Sequence, residues 1–264
     1  MTLSQDVLAV LSGGLVGFSL GLIGGGGSVL AVPLLVYVVG VRSPHVAIGT
    51  SALAVAASAA FNLFSHWRTG NVKLNCAVTY AVFGIAGAAI GSTVGKAIDG
   101  DQLLALFGVI MIVVAVSMVR RPPNAGHPEV HLNRRTAGRL VPRLAVAALA
   151  TGFLSGFFGI GGGFLIVPGL VVATGMPLIN AIGSSLVSVT SFGATTAANY
   201  ALSGLIDWWI VLLLLAGGVA GGFAGTATAR RLAGQRRMLA TAFAAIVGIV
   251  GVYVVWRGVA ALMS

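Results

Sequence analysis

The residues of this chain best equipped for chemistry are two runs of glycine and the hydroxyls that follow them. The first run, Gly24, Gly25, Gly26 and Gly27 with Ser28, lies in "GLIGGGGSVLAVP" (Gly21 to Pro33). The second, Gly159 with Gly161, Gly162 and Gly163, lies in "GFFGIGGGFLIVP" (Gly156 to Pro168). Each is followed by a short motif, "AIGTS" ending in Thr50 and Ser51 and "AIGSS" ending in Ser184 and Ser185. Glycine is a poor helix former, so consecutive glycines release backbone N–H and C=O groups from a helix. In an apolar layer such groups are tolerated only where they are buried in protein or line a wet cavity.

A helix restarting at Ser28 or Phe164 would aim its unpaired N–H groups and positive dipole end at that cavity, a setting for a small anion. Thr50, Ser51, Ser184 and Ser185 would add donors without a fixed positive charge that holds the anion too tightly. Pro33 and Pro168, each lacking an N–H, would kink the returning segments and act as hinges. Asn62 and Asn199, toward the far ends of the hydroxyl-bearing segments, would face the bundle interior and line a path or hold helices together. His66, beside Trp67 and Arg68, reads as an interface anchor. Two blander readings compete. Glycines at Gly13, Gly17, Gly87, Gly91, Gly221 and Gly225 serve close helix contact, and hydroxyls in apolar helices commonly bond back to their own carbonyls.

Other chemistries lack their residues. No Lys-Ser/Thr follows either run, and the first lysine is Lys73, so a phosphate-cradling loop is excluded. A dinucleotide fold lacks its strand and its downstream acid. The acids Asp6, Asp99, Asp101, Glu129 and Asp207 all fall at segment ends or in loops, which leaves no carboxylate for a proton relay, a sodium site or an intramembrane protease. There is no H-E-x-x-H, no Cys/His grouping with metal spacing, and the single Cys76 forms no intrachain disulfide. The sequence therefore predicts no catalytic residue, no metal, no cofactor and no enzyme.

The elements that would position these residues follow from composition. With 58% hydrophobic and only 8% charged residues among 264, the chain cannot be a water-soluble globule. Its apolar blocks of about 20 residues suit helical spans rather than the short alternating strands of a barrel. Segments are expected at 5–23, 28–41, 45–65, 72–95, 103–119, 142–158, 163–176, 178–203, 206–229 and 237–262. The first lacks a basic leader and a convincing cleavage site, and is expected to be retained. An Arg- and Pro-rich stretch, 120–141, separates a first repeat, 1–119, from a second, 142–264.

The halves match at an offset of 135 residues: Gly17, Gly21, Gly24, Gly26 and Pro33 meet Gly152, Gly156, Gly159, Gly161 and Pro168. A one-residue shift then aligns the AIGTS and AIGSS motifs, Gly87 with Gly221, Gly91 with Gly225 and Lys96 with Arg230. Such duplication is a common construction of secondary transporters.

Equivalent gaps carry opposite charge. Arg68 and Lys73 face only Asp207, whereas the gap with Lys96, Asp99 and Asp101 corresponds to one with Arg230, Arg231, Arg236 and Arg237. Positive-inside bias explains the net charge of +10 without nucleic acid, and it makes the linker cytoplasmic and the repeats inverted. Residues 5–41 would run to roughly 55 Å as one helix, too long for a bilayer core, so each glycine run should mark a broken or re-entrant helix. The fold class predicted is an all-α polytopic membrane protein of two inverted repeats with four to five segments each, both termini outside.

The glycine-proline runs together with AIGTS and AIGSS resemble the TauE/SafE family of sulfite exporters, also called the four-toluene sulfonate uptake permeases, over almost the whole chain. The resemblance implies a cell-membrane permease for sulfur-containing anions such as sulfite and sulfonates, or for other small organic anions. Its glycine-proline signatures correspond to Gly24 through Gly27 with Pro33, and to Gly159, Gly161 through Gly163 with Pro168. Ser28 against Gly163 and His66 against Tyr200 make the half-sites chemically unequal.

The function expected is alternating-access transport of a small anion bound between the two glycine runs. An anion channel of the same fold and a non-transporting membrane scaffold are the alternatives. Expected partners are the anion and the lipid bilayer, with a homodimer left open.

Overall fold

The computed structural model describes residues 3–68, 70, 72–120, 134–161, 163–231 and 236–263. Among them the chain is helical and free of strands. The first hydrophobic block forms α1 (Leu3–Ile23). It passes into a 3₁₀ run, Gly24–Leu30, a single α turn, α2 (Ala31–Pro33), and a π-helical run, Leu34–Val39, closed by Gly40 at φ 82°. Then come α3 (Pro44–Arg68), α4 (Leu74–Lys96) and α5 (Gly100–Arg120). The second half supplies α6 (Arg134–Phe158), α7 (Gly163–Thr174), α8 (Leu178–Ala201), α9 (Trp208–Arg231) and α10 (Arg236–Met263).

Seven of these are long and apolar enough to cross a membrane. In α8, 24 residues long, serines, threonines and asparagines dilute the apolar content. Asp99 and Asp207 explain two helix starts. The Asp99 carboxylate accepts from the N–H groups of Asp101 and Gln102, and that of Asp207 from Trp209 and Ile210. Three boundaries differ from the sequence reading. α6 begins at Arg134, inside the stretch read as linker, and passes through Pro142. After the first glycine run, α-helix resumes at Ala31 rather than Ser28, because the glycines tighten into 3₁₀ geometry instead of leaving the helical path. The second restart falls at Gly163, one residue before Phe164.

Glycine decides which helices touch. A Cβ at Gly13, Gly17 or Gly21 of α1 would come closer than 3.0 Å to the backbone of Leu214, Gly218 or Gly222 of α9. A Cβ at Gly152 or Gly156 of α6 would do the same at Gly84 or Ala88 of α4. The two pairs are therefore in backbone contact, as small-residue interfaces allow. Rising numbers on both partners make α1 parallel to α9 and α4 parallel to α6.

Falling numbers make other pairs antiparallel. Ala105, Gly108 and Ala115 of α5 meet Gly258, Gly251 and Gly248 of α10, and Gly49 and Ala52 of α3 meet Tyr200 and Gly193 of α8. α3 runs with α9, since Thr50 meets Asp207 and Asn62 meets Gly222. α8 runs with α4, since Ser184 meets Lys73 and Asn199 meets Ser92. α5 starts beside the start of α3, with Gly100 against Pro44. Helices α1, α3, α5 and α9 thus run one way and α4, α6, α8 and α10 the other.

The centre belongs to α3, of whose crossing window 67% is buried, against 33% to 44% for the other six. Those six show outward apolar faces, such as Val7, Leu11 and Leu15 on α1 or Val109, Val113 and Val116 on α5, suited to acyl chains. Exposed tryptophans stand at both ends of the bundle, Trp208, Trp209 and Trp256 at one and Trp67 at the other, the usual interfacial placement.

Candidate functional site

Each glycine run turns the chain back on itself. Gly27 lies so close to α1 that a Cβ would strike the backbone of Ser19 and Leu20, and Gly40 brings the chain back beside Gln5. In the second half, Ile160 N–H reaches back to the Ser155 carbonyl at 3.2 Å, with Gly159 and Gly161 both at φ 66°, a conformation that strains any other residue. Gly169 of α7 then lies beside Thr151 of α6. Both segments are helical hairpins that enter and leave at the same end of the bundle, from opposite ends.

The tips do not abut at a common midplane. That of α6–α7 reaches Ile48 and Val55 of α3, while Gly21, just before the other tip, is level with Asn62. They pass side by side because the first arms are full length, about 30 Å or more at 1.5 Å per residue.

The candidate residues separate into groups. Ser51, fully buried, donates to the Ile48 carbonyl at 3.0 Å and approaches the carbonyl of Gly159 at 3.5 Å, so it joins α3 to the opposite hairpin tip. Gly161 sits between Val55 and Val189, where α3 and α8 cross. Ser28 is buried too, whereas Gly24, Gly25 and Gly26 contribute the backbone of the 3₁₀ turn. Gly162 lies outside the described residues. Pro33 is buried in α2, and Pro168 lies inside α7 facing outward.

Thr50 and Ser184 bond across helix starts. The Thr50 hydroxyl accepts from Asp207 N–H at 3.0 Å, and the Ser184 hydroxyl accepts from Lys73 N–H at 2.9 Å. These equivalent bonds tie the starts of α3 and α9, and of α8 and α4. Ser185 bonds back to Ile182 at 2.8 Å.

The two asparagines are far apart. Asn62 donates to the Ser58 carbonyl at 3.0 Å beside Gly222. Asn199 stands at the other end in a polar cluster that the sequence did not reveal. Its amide donates to Ser92 at 2.6 Å and Thr93 at 3.0 Å, and its side-chain oxygen accepts from the Lys96 ammonium at 2.8 Å. Lys96 also donates to the Asn199 carbonyl at 3.0 Å and to Ser203 at 2.8 Å, and lies 5.8 Å from the centre of the Tyr200 ring. Among the described residues this cation is held by neutral acceptors alone.

Charge is sorted between the ends. Arg68, Lys73, Arg134, Arg231, Arg236 and Arg237 occupy helix ends on one side, while Asp6, Asp99, Asp101 and Asp207 gather on the other with Arg42, Lys96 and Arg257. Among the described residues no grouping of His, Cys, Asp and Glu could hold a metal ion.

Residues 9–254 match the model of the family described as sulfite exporter TauE/SafE. The chain belongs to that family. A relative from Xylella fastidiosa (strain 9a5c), designated "Probable membrane transporter protein", is 50% identical over the full length of both chains. YunE of Bacillus subtilis (strain 168), with the same designation, is 26% identical over 97% of this chain and 99% of its own. MJ0441 of Methanocaldococcus jannaschii is 30% identical over 70% of this chain and 69% of its own. No solved structure matches the chain. Family membership and seven helices of crossing length make this TauE/SafE member a multi-pass transporter of the cell membrane.

Proposed function

We propose that this transporter carries small sulfur-containing or organic anions, sulfite and sulfonates among them, by alternating access between two inverted repeats, and that it has no enzymatic activity. The observation that carries the reading is the pair of opposed hairpins, of which the α6–α7 tip lodges against α3, with Ser51 reaching the backbone of Gly159, while the first glycine run packs beside α7 and α8. Such an arrangement exposes backbone groups to the protein interior from both ends and lets one hairpin shift while the other holds.

Inversion is supported by helix direction, since each of α6, α8, α9 and α10 runs opposite to its counterpart α1, α3, α4 or α5. It is supported also by exchange of partners, the contact of Gly17 with Gly218 recurring as that of Gly152 with Gly84. The arginine-rich end is the cytoplasmic one by the positive-inside rule. The absence of a carboxylate from the described interior favours an anionic cargo over a cationic one.

Proteoliposomes holding the purified chain are loaded with labelled sulfite, thiosulfate, taurine-derived sulfonates or carboxylates, with and without sodium or proton gradients. Saturable flux with counterflow, abolished by Gly27→Leu or Gly161→Leu, is the expected result. Flux without saturation or counterflow would identify a channel, and no flux of any of these anions would sink the reading.

A further inference from the structure

On α8, hydroxyls divide sharply between two behaviours. Ser185, Thr190, Ser191 and Thr195 donate to carbonyls of their own helix at 2.8 to 2.9 Å, as hydroxyls in apolar helices usually do. Ser188 and Thr196 are fully buried, yet among the described residues neither hydroxyl has a partner. A buried hydroxyl that forgoes an available carbonyl is costly to keep, and a ligand that supplies the missing bond removes the cost.

Their register locates them on one stripe. Ser184 bonds to Lys73, Phe192 fills the space left by Gly84, and Asn199 bonds to Ser92. Ser188 stands four residues from both Ser184 and Phe192, on the α8 face turned to α4, whereas Thr196, four from both Phe192 and Tyr200, stands at the border between that face and the one that Tyr200 and Gly193 turn to α3. Phe192 stacks on Tyr80 at 6.4 Å between centroids and 22° between planes, and Tyr80 is fixed by its 2.8 Å bond to Thr151. The unpartnered hydroxyls therefore lie one helical turn before and one after an aromatic plug.

The chain's two lysines bracket this stripe, Lys73 before α4 and Lys96 at its end. At the position of the other half equivalent to Phe192 stands Ser58, and there the structure leaves a cavity of about 10 Å³ lined by Ser51, Ala54, Ser58 and Leu214. That is room for about one water molecule. The seam that lacks the plug is the one with space.

We infer that the α4–α8 seam is a binding track for a small oxyanion, in which Ser188 and Thr196 donate to the anion on either side of a Phe192 gate and Lys96 draws it to one mouth. The inference rests on the transport reading for the nature of the cargo but not for its test. Hydroxyl donors suit an oxyanion that must be released again, and the Lys96 ammonium at the mouth attracts the anion locally without trapping it at depth.

The test uses the full chain in membranes, in a Cys76→Ala background, with Ser188→Cys or Thr196→Cys, and Thr190→Cys or Ala194→Cys as controls on the side of α8 turned away from α4. Each thiol is challenged with an anionic and a cationic methanethiosulfonate of similar size, with rates normalised to a free thiol. The expected result is modification at positions 188 and 196 but not at the controls, about tenfold faster with the anionic reagent. Lys96→Gln should abolish the charge preference while Lys96→Arg keeps it, and Phe192→Leu should speed reaction at position 188 from the Lys96 end.

Labelling at 188 and 196 no faster than at the controls, or no charge preference, overturns the track. Sulfite flux measured on the same preparations separates the two readings. Flux with an unreactive seam refutes the track alone, and a reactive, anion-selective seam without flux refutes the sulfur-anion cargo alone.

Discussion

Replacing Gly152 with alanine forces the α4–α6 seam to open. The new methyl would lie against the carbonyl oxygen of Gly84 and 2.8 Å from its Cα. Backbone cannot swing aside as the end of a flexible side chain can, so the two helices must separate. A gap of roughly half an ångström already forfeits about a quarter of the dispersion attraction of each contact along the seam. Overpacking of this kind costs about 1–3 kcal/mol.

Gly138→Ala on the same helix is the internal control. Nothing lies within 4 Å of the position, and alanine there gains up to about 1 kcal/mol of helix propensity. The assay is unfolding of the purified protein by SDS in mixed micelles, followed by tryptophan fluorescence and circular dichroism. The midpoint for Gly152→Ala should fall while that for Gly138→Ala holds or rises. Gly17→Ala, at the equivalent contact with Gly218, should fall by a similar amount, and the Gly17/Gly152 double variant should show the sum because the seams share no residue. A Gly152→Ala protein as stable as the parent would refute the backbone contact and, with it, the helix directions derived from it.

Three further outcomes are expected. Thr50→Val and Ser184→Ala should each lower stability by about 1 kcal/mol, the net value of one hydrogen bond, with the KM for the anion unchanged; a raised KM at normal stability would make them ligands rather than tethers. Ser51→Ala should raise KM about 3- to 10-fold with little loss of stability, read in the flux assay, and an unaltered KM would remove it from the site. An epitope tag at Gly70 should be reached only from the cytoplasmic side and one at Gly204 only from the outside; both from one side would refute the assigned orientation.

The sequence made the architecture legible where it carried a constraint of position. Acids confined to segment ends reappear as helix caps at Asp99 and Asp207, and the glycines assigned to close contact, Gly87 and Gly221 among them, are in backbone contact. The glycine runs do mark reversals of the chain. What was not legible depends on register between helices distant in sequence. Thr50 and Ser184 sit one position before the back-bonding Ser51 and Ser185 in the same motifs, and only the arrival of Asp207 or Lys73 beside them decides that they bond across helix starts. Ser188 and Thr196 looked like ordinary hydroxyls among many, since a missing bond leaves no trace in sequence. Phe192 could not be singled out from other core aromatics until Gly84 was placed opposite it.

The exchange of partners between the halves bears on how the protein is made. α6 meets α4 shortly after its own synthesis, with its glycines covered almost at once. α1 emerges ahead of the other helices, yet the surface it matches, on α9, is made only after α3 to α8, and in the interval its Gly13–Gly17–Gly21 face must wait in lipid or against a temporary escort. Domains synthesised first usually fold first, but here the opening helix is among the last to be locked. Late truncations should therefore strand α1 rather than leave a finished amino-terminal half.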